Sequence, residues 1–221
     1  MKHFQTPTPQ STLRRRLTTY FVALTGVCLA MLPQGLYASD SLASPLPIEI
    51  KVPAGHMPFL RGHAVGTQNY MCLPCPSTSP CPSTSGYAWA LIGPQATLFN
   101  VYGTQIITHF LSPNPEEADT PRATWQDSRD TNAVWAKAIQ SSSDSDFVEP
   151  DAIPWLLLEV VGSEPEPDKG GRLTKTIYIQ RVNTKGGLAP SIGCDQDNVG
   201  VREFIEYEAD YIFYKKATWH E

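Results

Sequence analysis

One apolar run restricts this chain more than any other stretch beyond its N-terminus. It is Ile153-Pro154-Trp155-Leu156-Leu157-Leu158, continuing past Glu159 into Val160-Val161. A run this short, opened by a proline and closed by Gly162, reads as a strand buried on both faces. Pro154 fits at the first position of a strand, where a missing backbone donor matters least. Trp155 supplies the largest single apolar surface in the run.

The other strand signals agree with it. Arg202 to Tyr214 has the cleanest period of two in the chain. Ile205, Tyr207, Ala209, Tyr211 and Phe213 share one face, and Glu206, Glu208 and Asp210 the other, which is the pattern of a half-exposed strand. Thr174 to Val182 alternates in the same way. Thr97 to Tyr102 and Gln105 to Leu111 read as a hairpin turning near Gly103. Tyr87 to Ile92 is a strand that Gly93-Pro94 is expected to end. His63 to Cys72 is a first strand in which Gly66 is expected to mark a bulge. Ala133 to Ala138 suits a short strand or a turn or two of helix, since Ala, Lys and Gln favour helix. No long helical period occurs, and turn residues recur about every dozen residues, so an all-β single-domain sandwich or barrel with long loops is expected.

The N-terminus carries an address. Lys2, Arg14, Arg15 and Arg16 precede a mostly apolar stretch from Leu17 to Leu32, and no acidic residue occurs before Asp40. Leu36-Tyr37-Ala38 then offers a small residue before a cut. This is a secretory signal peptide pattern, and the apolar stretch is short of the roughly 20 residues that span a bilayer. The arginine triplet also admits a twin-arginine signal, although Thr18 stands where a bulky apolar residue is typical. Cys28 is a poor lipoprotein cysteine, because Val27 before it is not small. The expected organisation is a signal peptide over 1–38, an extended proline-bearing lead-in over 39–60 and a β domain over 61–216, in a secreted or periplasmic protein with no membrane span after cleavage. Removal of the signal takes four basic residues and no acidic one. That leaves 13 Lys and Arg against 22 Asp and Glu, a net charge near −9. Such a balance argues against nucleic acid or an anionic membrane surface as partner. The expected partner is an unidentified envelope or extracellular ligand, with no cofactor and no metal.

Cys28 leaves with the signal, and Cys72, Cys75, Cys81 and Cys194 remain. An even number in an exported protein points to disulfides. Cys72-x-x-Cys75 also has the spacing of half a zinc site or a redox pair, but no second such pair follows. Three disulfide pairings are open, and Cys72–Cys194 with Cys75–Cys81 is favoured.

Several phrases occur together in order: "GTQNYMC" (66–72), "HFLSP" (109–113), "AIPWLLL" (152–158), "YIQRVNTKGG" (178–187), "APSIGCD" (189–195) and "YEADYIFY" (207–214). Through them the chain resembles a family of exported bacterial and fungal proteins catalogued as domain-of-unknown-function family 3455, over roughly residues 46–215. The resemblance implies a compact secreted β domain and no known activity. It supports pairing Cys72 with Cys194, since both fall inside family phrases. Cys75 and Cys81 lie in an apparent insertion, the near-repeat "PCPSTSPCPSTSG" (74–86), which supports pairing them with each other. The family usually places a glycine-serine pair after a mid-chain aspartate. Here Thr131 follows Asp130, which puts a tight turn at that place in doubt.

Residues able to carry chemistry are few. His109, with Asp127, Ser128 and Asp130 following, invites a hydrolase reading that uses His109 with Asp127 or Asp130, although no G-x-S-x-G elbow supports it. His56, His63 and His109 are possible metal ligands without a recognised spacing. Glu203, Glu206, Glu208 and Asp210 form an acidic ladder that suits a calcium or glycosidase site, or a solvated face opposed by neighbouring Lys or Arg such as Lys175 and Arg181. Arg181 and Asn183 lead from an apolar strand into a glycine-rich loop and, with Tyr178, are the binding candidates. Arg181 on the face of Ile177 and Ile179 is a partly buried arginine in need of a partner. Tyr70, Trp89, Tyr178, Tyr207 and Tyr211 could line a cavity or simply fill the core. The expected function is a non-catalytic binding or structural module, with a secreted hydrolase and a small-ligand carrier as alternatives. A closed barrel with a cavity above about 300 Å³ favours the carrier.

Overall fold

The structure is a computed structural model that describes residues 46–78, 80–167 and 171–218. The signal-peptide segment 1–38 and the start of the lead-in lie outside these residues. Eight strands follow in order: β1 (His56–Pro74), β2 (Tyr87–Phe99), β3 (Gln105–Asn114), β4 (Thr120–Asp127), β5 (Ala133–Ser142), β6 (Trp155–Glu164), β7 (Tyr178–Gly186) and β8 (Arg202–Lys216). Each pairs antiparallel with the next, and β8 pairs with β1 from His56↔Lys216 to Met71↔Arg202, so the sheet closes into an up-and-down barrel. Closure removes the sheet edges that a sandwich would leave. Among the described residues no helix is long and apolar enough to cross a membrane.

Strand alternation decides what faces inward. Tyr207, Ala209, Tyr211 and Phe213 of β8 are buried in the interior, while Glu206 and Glu208 face out. The apolar run becomes β6, and its continuity has a simple cause. Leu158 points into the barrel, whereas Trp155 and Leu157 point outward into a second core. That second core lies on the outer face of β6, β7 and β8. It is covered by Ile50 from a 3-10 turn (Ile48–Ile50) and by Val148 and Ala152 before β6. The Gln180 amide ties the cover down by donating to the Ile50 carbonyl at 2.7 Å.

Several boundaries differ from the sequence expectation. β1 begins at His56, seven residues before His63, because the tail of β8 extends far enough to pair with it. Gly93-Pro94 does not end a strand: β2 runs through it with a register shift opposite Asn69/Tyr70. Pro94 is tolerated because the β2–β3 ladder starts at Ala96↔His109, leaving no β3 partner at its level. Gly66 is not a bulge. It lies where β1 passes so close to β2 that a Cβ would overlap the Gln95 carbonyl oxygen. Ala133–Ser142 is a strand throughout, with Val134 and Ala136 inside and the Trp135 indole donating outward to Ser112 Oγ at 2.9 Å. The two-sided demand of the sheet overrides the helical preference of Ala and Lys. Thr131 is not among the residues with left-handed φ. The 128–132 turn is instead held by side chains: Asp127 accepts from the Arg129 amide and Asp130 from the Asn132 amide.

The two ends of the barrel are built differently. At one end the β6–β7 connection inserts Leu173, fully buried, into the interior core. Its amide donates to Asn132 Oδ1 at 3.0 Å, and neighbouring Arg172 pairs with Asp127 at 2.7 Å. At the other end the β7–β8 connection (187–201) reaches past β8 and β1 to β2. It is pinned by the Tyr70 hydroxyl donating to the Gly187 carbonyl at 2.7 Å, by the Trp89 indole donating to the Ile192 carbonyl at 2.9 Å, and by the Cys72–Cys194 disulfide. Gly187 has φ +83°, and a Cβ there would sit 2.9 Å from Tyr207 Cβ, so both conformation and space require glycine. The second disulfide joins Cys75 and Cys81. Both favoured pairings are present, and a zinc or redox use of Cys72 and Cys75 is set aside.

Candidate functional site in the barrel

The end opposite the Leu173 plug holds a cavity of about 360 Å³. Its floor and walls come from inward positions of successive strands: His109 on β3, Trp125 on β4, Ala136 on β5, Leu158 on β6, Arg181 on β7 and Tyr211 on β8. Leu91 and Leu111 stand at the rim, 56% and 42% exposed. Small side chains on β5 leave the space, and the walls are mostly apolar with a few polar groups converging from below.

Those polar groups are short of partners. His109 is 3% exposed and stacks on Trp125 with ring centroids 4.2 Å apart and planes at 11°. Its Nδ1 donates to the Thr124 carbonyl at 2.8 Å in the tautomer that this contact selects. Burial, and to a lesser degree the charge of Arg181, lowers the His109 pKa to about 3, while the contact to Thr124 opposes the shift. The ring is therefore neutral near pH 7. Gln68 is equally buried, lines the cavity, and makes no side-chain hydrogen bond among the described residues.

Arg181 is the most informative residue. Register places it between Leu156 of β6 and Tyr211 of β7's other neighbour, β8. Its Nε and Nη2 both donate to one carbonyl, that of Pro154, at 3.2 and 2.7 Å. No carboxylate among the described residues lies within salt-bridge distance of it. The other two cations lining the cavity are paired, Arg122 with Glu117 at 2.8 Å and Lys137 with Glu159 at 3.6 Å. The Arg181 charge reaches the phenols below: it acts to lower the Tyr70 and Tyr207 pKa values, against burial, which pushes both up. A guanidinium held inside a barrel without a counter-charge is an unusual use of a costly group.

The other candidates separate. Tyr178 lies outside the barrel, packed on the second core with its ring edge-on to His56 at 4.9 Å. Asn183 has φ +52° and donates to Asp210 Oδ2 at 2.7 Å on the outer face. Of the three binding candidates, the cavity receives Arg181 alone. His109 and Asp127 do not meet: His109 bonds to Thr124, and the Asp127 carboxylate bonds to Arg172 at the opposite end. Asp130 is turned into the 128–132 turn, and Ser128 Oγ accepts from Gln105 Nε2. No hydroxyl is placed against His109 Nε2 by any hydrogen bond among the described residues. The three histidines are likewise dispersed, and the described residues contain no group of His, Cys, Asp or Glu able to hold a metal. The acidic ladder is no site: Glu203 and Glu206 are exposed, and Glu208 and Asp210 are paired on the outer face. Asp210 meets Arg61 at 2.7 Å and His63 at 3.1 Å, and Glu208 meets Lys185 at 3.5 Å. Its partners are these residues, not Lys175 or Arg181.

Trp125, Gln68 and Leu158 were absent from the site candidates read in the sequence. Among the candidates that the sequence did offer, His109, Arg181 and Tyr211 line the cavity. No curated protein and no solved structure matches the chain. Over residues 53–215 the chain matches the sequence model described as "Protein of unknown function (DUF3455)", and it belongs to that family.

Proposed function

We propose that this protein is an exported, non-catalytic binding module that takes a small, largely apolar molecule into the open end of its barrel. The observation that carries the reading is the cavity of about 360 Å³, apolar in its walls and polar at a few convergent points. Ligand pockets have this character: a mostly hydrophobic lining with a small number of placed polar groups, and a volume from about 300 Å³ upward. Antiparallel barrels of eight strands are just wide enough to hold one small ligand when their interior side chains are small. Ala136 and Ala138 provide that room.

Two features support the exported setting. The N-terminal charge and hydropathy pattern is that of a secretory signal, and two disulfides tie the loops at the cavity end. The hydrolase reading has less behind it, since His109 and Asp127 bond to different partners at different levels of the barrel.

A thermal-shift screen of the protein lacking residues 1–38 tests the proposal, using short aliphatic and aromatic alcohols, acids and amides. A ligand present at a hundred times its Kd raises stability by about 2.7 kcal/mol, enough to read as a clear rise in melting temperature. Ala136→Phe projects a ring into the cavity and is expected to abolish the shift, with a cooperative unfolding transition of the free variant showing that it is folded. Shifts that persist in that variant place binding elsewhere and sink the proposal.

A further inference from the structure

Resting on that ligand-binding reading, we infer that the cavity selects an anionic ligand, a small organic acid whose carboxylate pairs with Arg181 and whose apolar body lies against Trp125, Leu156 and Leu158. The first ground is charge. Three cations line the cavity, and two are neutralised by carboxylates of this chain. Arg181 has only the Pro154 carbonyl, which occupies Nε and Nη2 and leaves Nη1 to a further acceptor. The Pro154 carbonyl holds the half-buried guanidinium in place but does not neutralise it, and an incoming carboxylate supplies the missing counter-charge.

The second ground is the set of neutral polar groups around it. Gln68 is 3% exposed, and its amide, which lines the same cavity, makes no side-chain hydrogen bond among the described residues. It is a donor that a second carboxylate oxygen can use. Hydroxyls of Tyr207 and Tyr211, 3.4 Å apart, lie on the same strand that pairs with Arg181. None of these groups brings a negative charge. Glu206, Glu208 and Asp210 of β8, which would repel an anion, face outward, where Asp210 is matched by Arg61 and His63 and Glu208 by Lys185. The strand period thus keeps negative charge on the outside of the barrel and a lone positive charge within.

The third ground is shape. Arg181 sits at the β6–β7–β8 side of the cavity, across from the stacked His109 and Trp125 rings of β3 and β4. A flat apolar body between a guanidinium on one side and an aromatic wall on the other fits an aryl or short branched acid better than a long chain.

The test compares phenylacetate with 2-phenylethanol, which has the same ring and chain length without the charge. Binding is read by calorimetry at pH 7 on the protein lacking residues 1–38. The expected result is that the acid binds about tenfold or more tightly than the alcohol, the range a charge-assisted pair supplies. In Arg181→Met that preference disappears while the alcohol still binds, and in Lys185→Met, which removes a cation from the outer face, it is retained. Arg181→Lys, which keeps the charge and loses the planar fork, retains part of the preference and serves where Arg181→Met does not fold. Equal binding of the two probes to the unmodified protein, or a preference that survives in Arg181→Met, overturns the anion assignment and leaves the cavity-binding reading standing. Absence of binding by both probes, together with no shift from any compound of the wider screen, overturns both.

Discussion

Arg181 Nη2 donates to the carbonyl oxygen of Pro154 at 2.7 Å, and Nε of the same guanidinium donates to it at 3.2 Å. The contact links the inward face of β7 to the residue that opens β6. It also explains how a charged side chain holds one orientation inside the barrel: the fork is anchored on a carbonyl at the point where the chain enters the strand. Arg181→Ala removes two charge-assisted donors, and a loss of about 1–3 kcal/mol in unfolding free energy is expected. Urea denaturation of the disulfide-bonded protein measures it. An unchanged midpoint would show that the Pro154 contact contributes nothing.

The two disulfides are expected to differ in their effect on stability. Cys72 and Cys194 are separated by 122 residues and Cys75 and Cys81 by 6. In the chain-entropy model the first constrains the unfolded state by about 5 kcal/mol and the second by about 2. Replacing Cys72 and Cys194 together with alanine is expected to lower stability by clearly more than replacing Cys75 and Cys81. Guanidinium denaturation of the two double variants compares them directly.

His109 makes stability depend on pH. Its side chain titrates near 6.5 when unfolded and at about 3 in the barrel, chiefly because of burial. Between those values the unfolded chain binds the extra proton. The contribution is therefore complete above about pH 6.5 and is lost as pH falls toward 3, by at most about 1.4 kcal/mol per unit. Asp210 adds its own loss at lower pH. Burial acts to raise its pKa, but hydrogen bonds from Asn183, Arg61 and His63 more than offset this and hold it below the ordinary value. In His109→Gln the slope of unfolding free energy against pH between 4 and 6.5 is expected to flatten. An unaltered slope would mean that the ring protonates freely in the folded state.

Asp127 is expected to behave as a structural residue. Its side chain is 2% exposed and pairs with Arg172, itself 31% exposed, at the plugged end of the barrel. Asp127→Asn keeps the shape, removes the charge, and is expected to lower stability by about 2–3 kcal/mol, below the range for a fully buried pair because Arg172 reaches solvent. Leu173→Ala, at the plug itself, is expected to lose about 2–5 kcal/mol. Calorimetric melting temperatures of the two variants check both. A variant of either kind with wild-type stability would contradict the role of the plug.

Much of the fold was legible before any tertiary information. The alternation in β8 assigned Tyr207, Ala209, Tyr211 and Phe213 to a buried face, and they are buried. The run Ile153–Val161 read as a strand buried on both faces, and β6 has one core on each side. These features are local: a period of two and a proline at a strand start carry their own geometry. The family phrases, in turn, indicated which cysteines meet.

Tertiary structure decided the rest. Whether the sheet closes depends on β1 reaching β8, a pairing more than a hundred residues apart in the chain that no local pattern encodes. Pairing with β1 along the full length of β2 is what turned Gly93-Pro94 from a stop into a point inside β2. The site was hidden for the same reason. Tyr178, Arg181 and Asn183 stand within six residues of one another, yet Arg181 faces the cavity, Tyr178 packs on the outer core, and a left-handed residue at 183 turns its side chain to the outer face. Sequence determined that β7 alternates; only the closed barrel determined which of its faces holds the empty space, and hence that the charge inside it has no partner of its own.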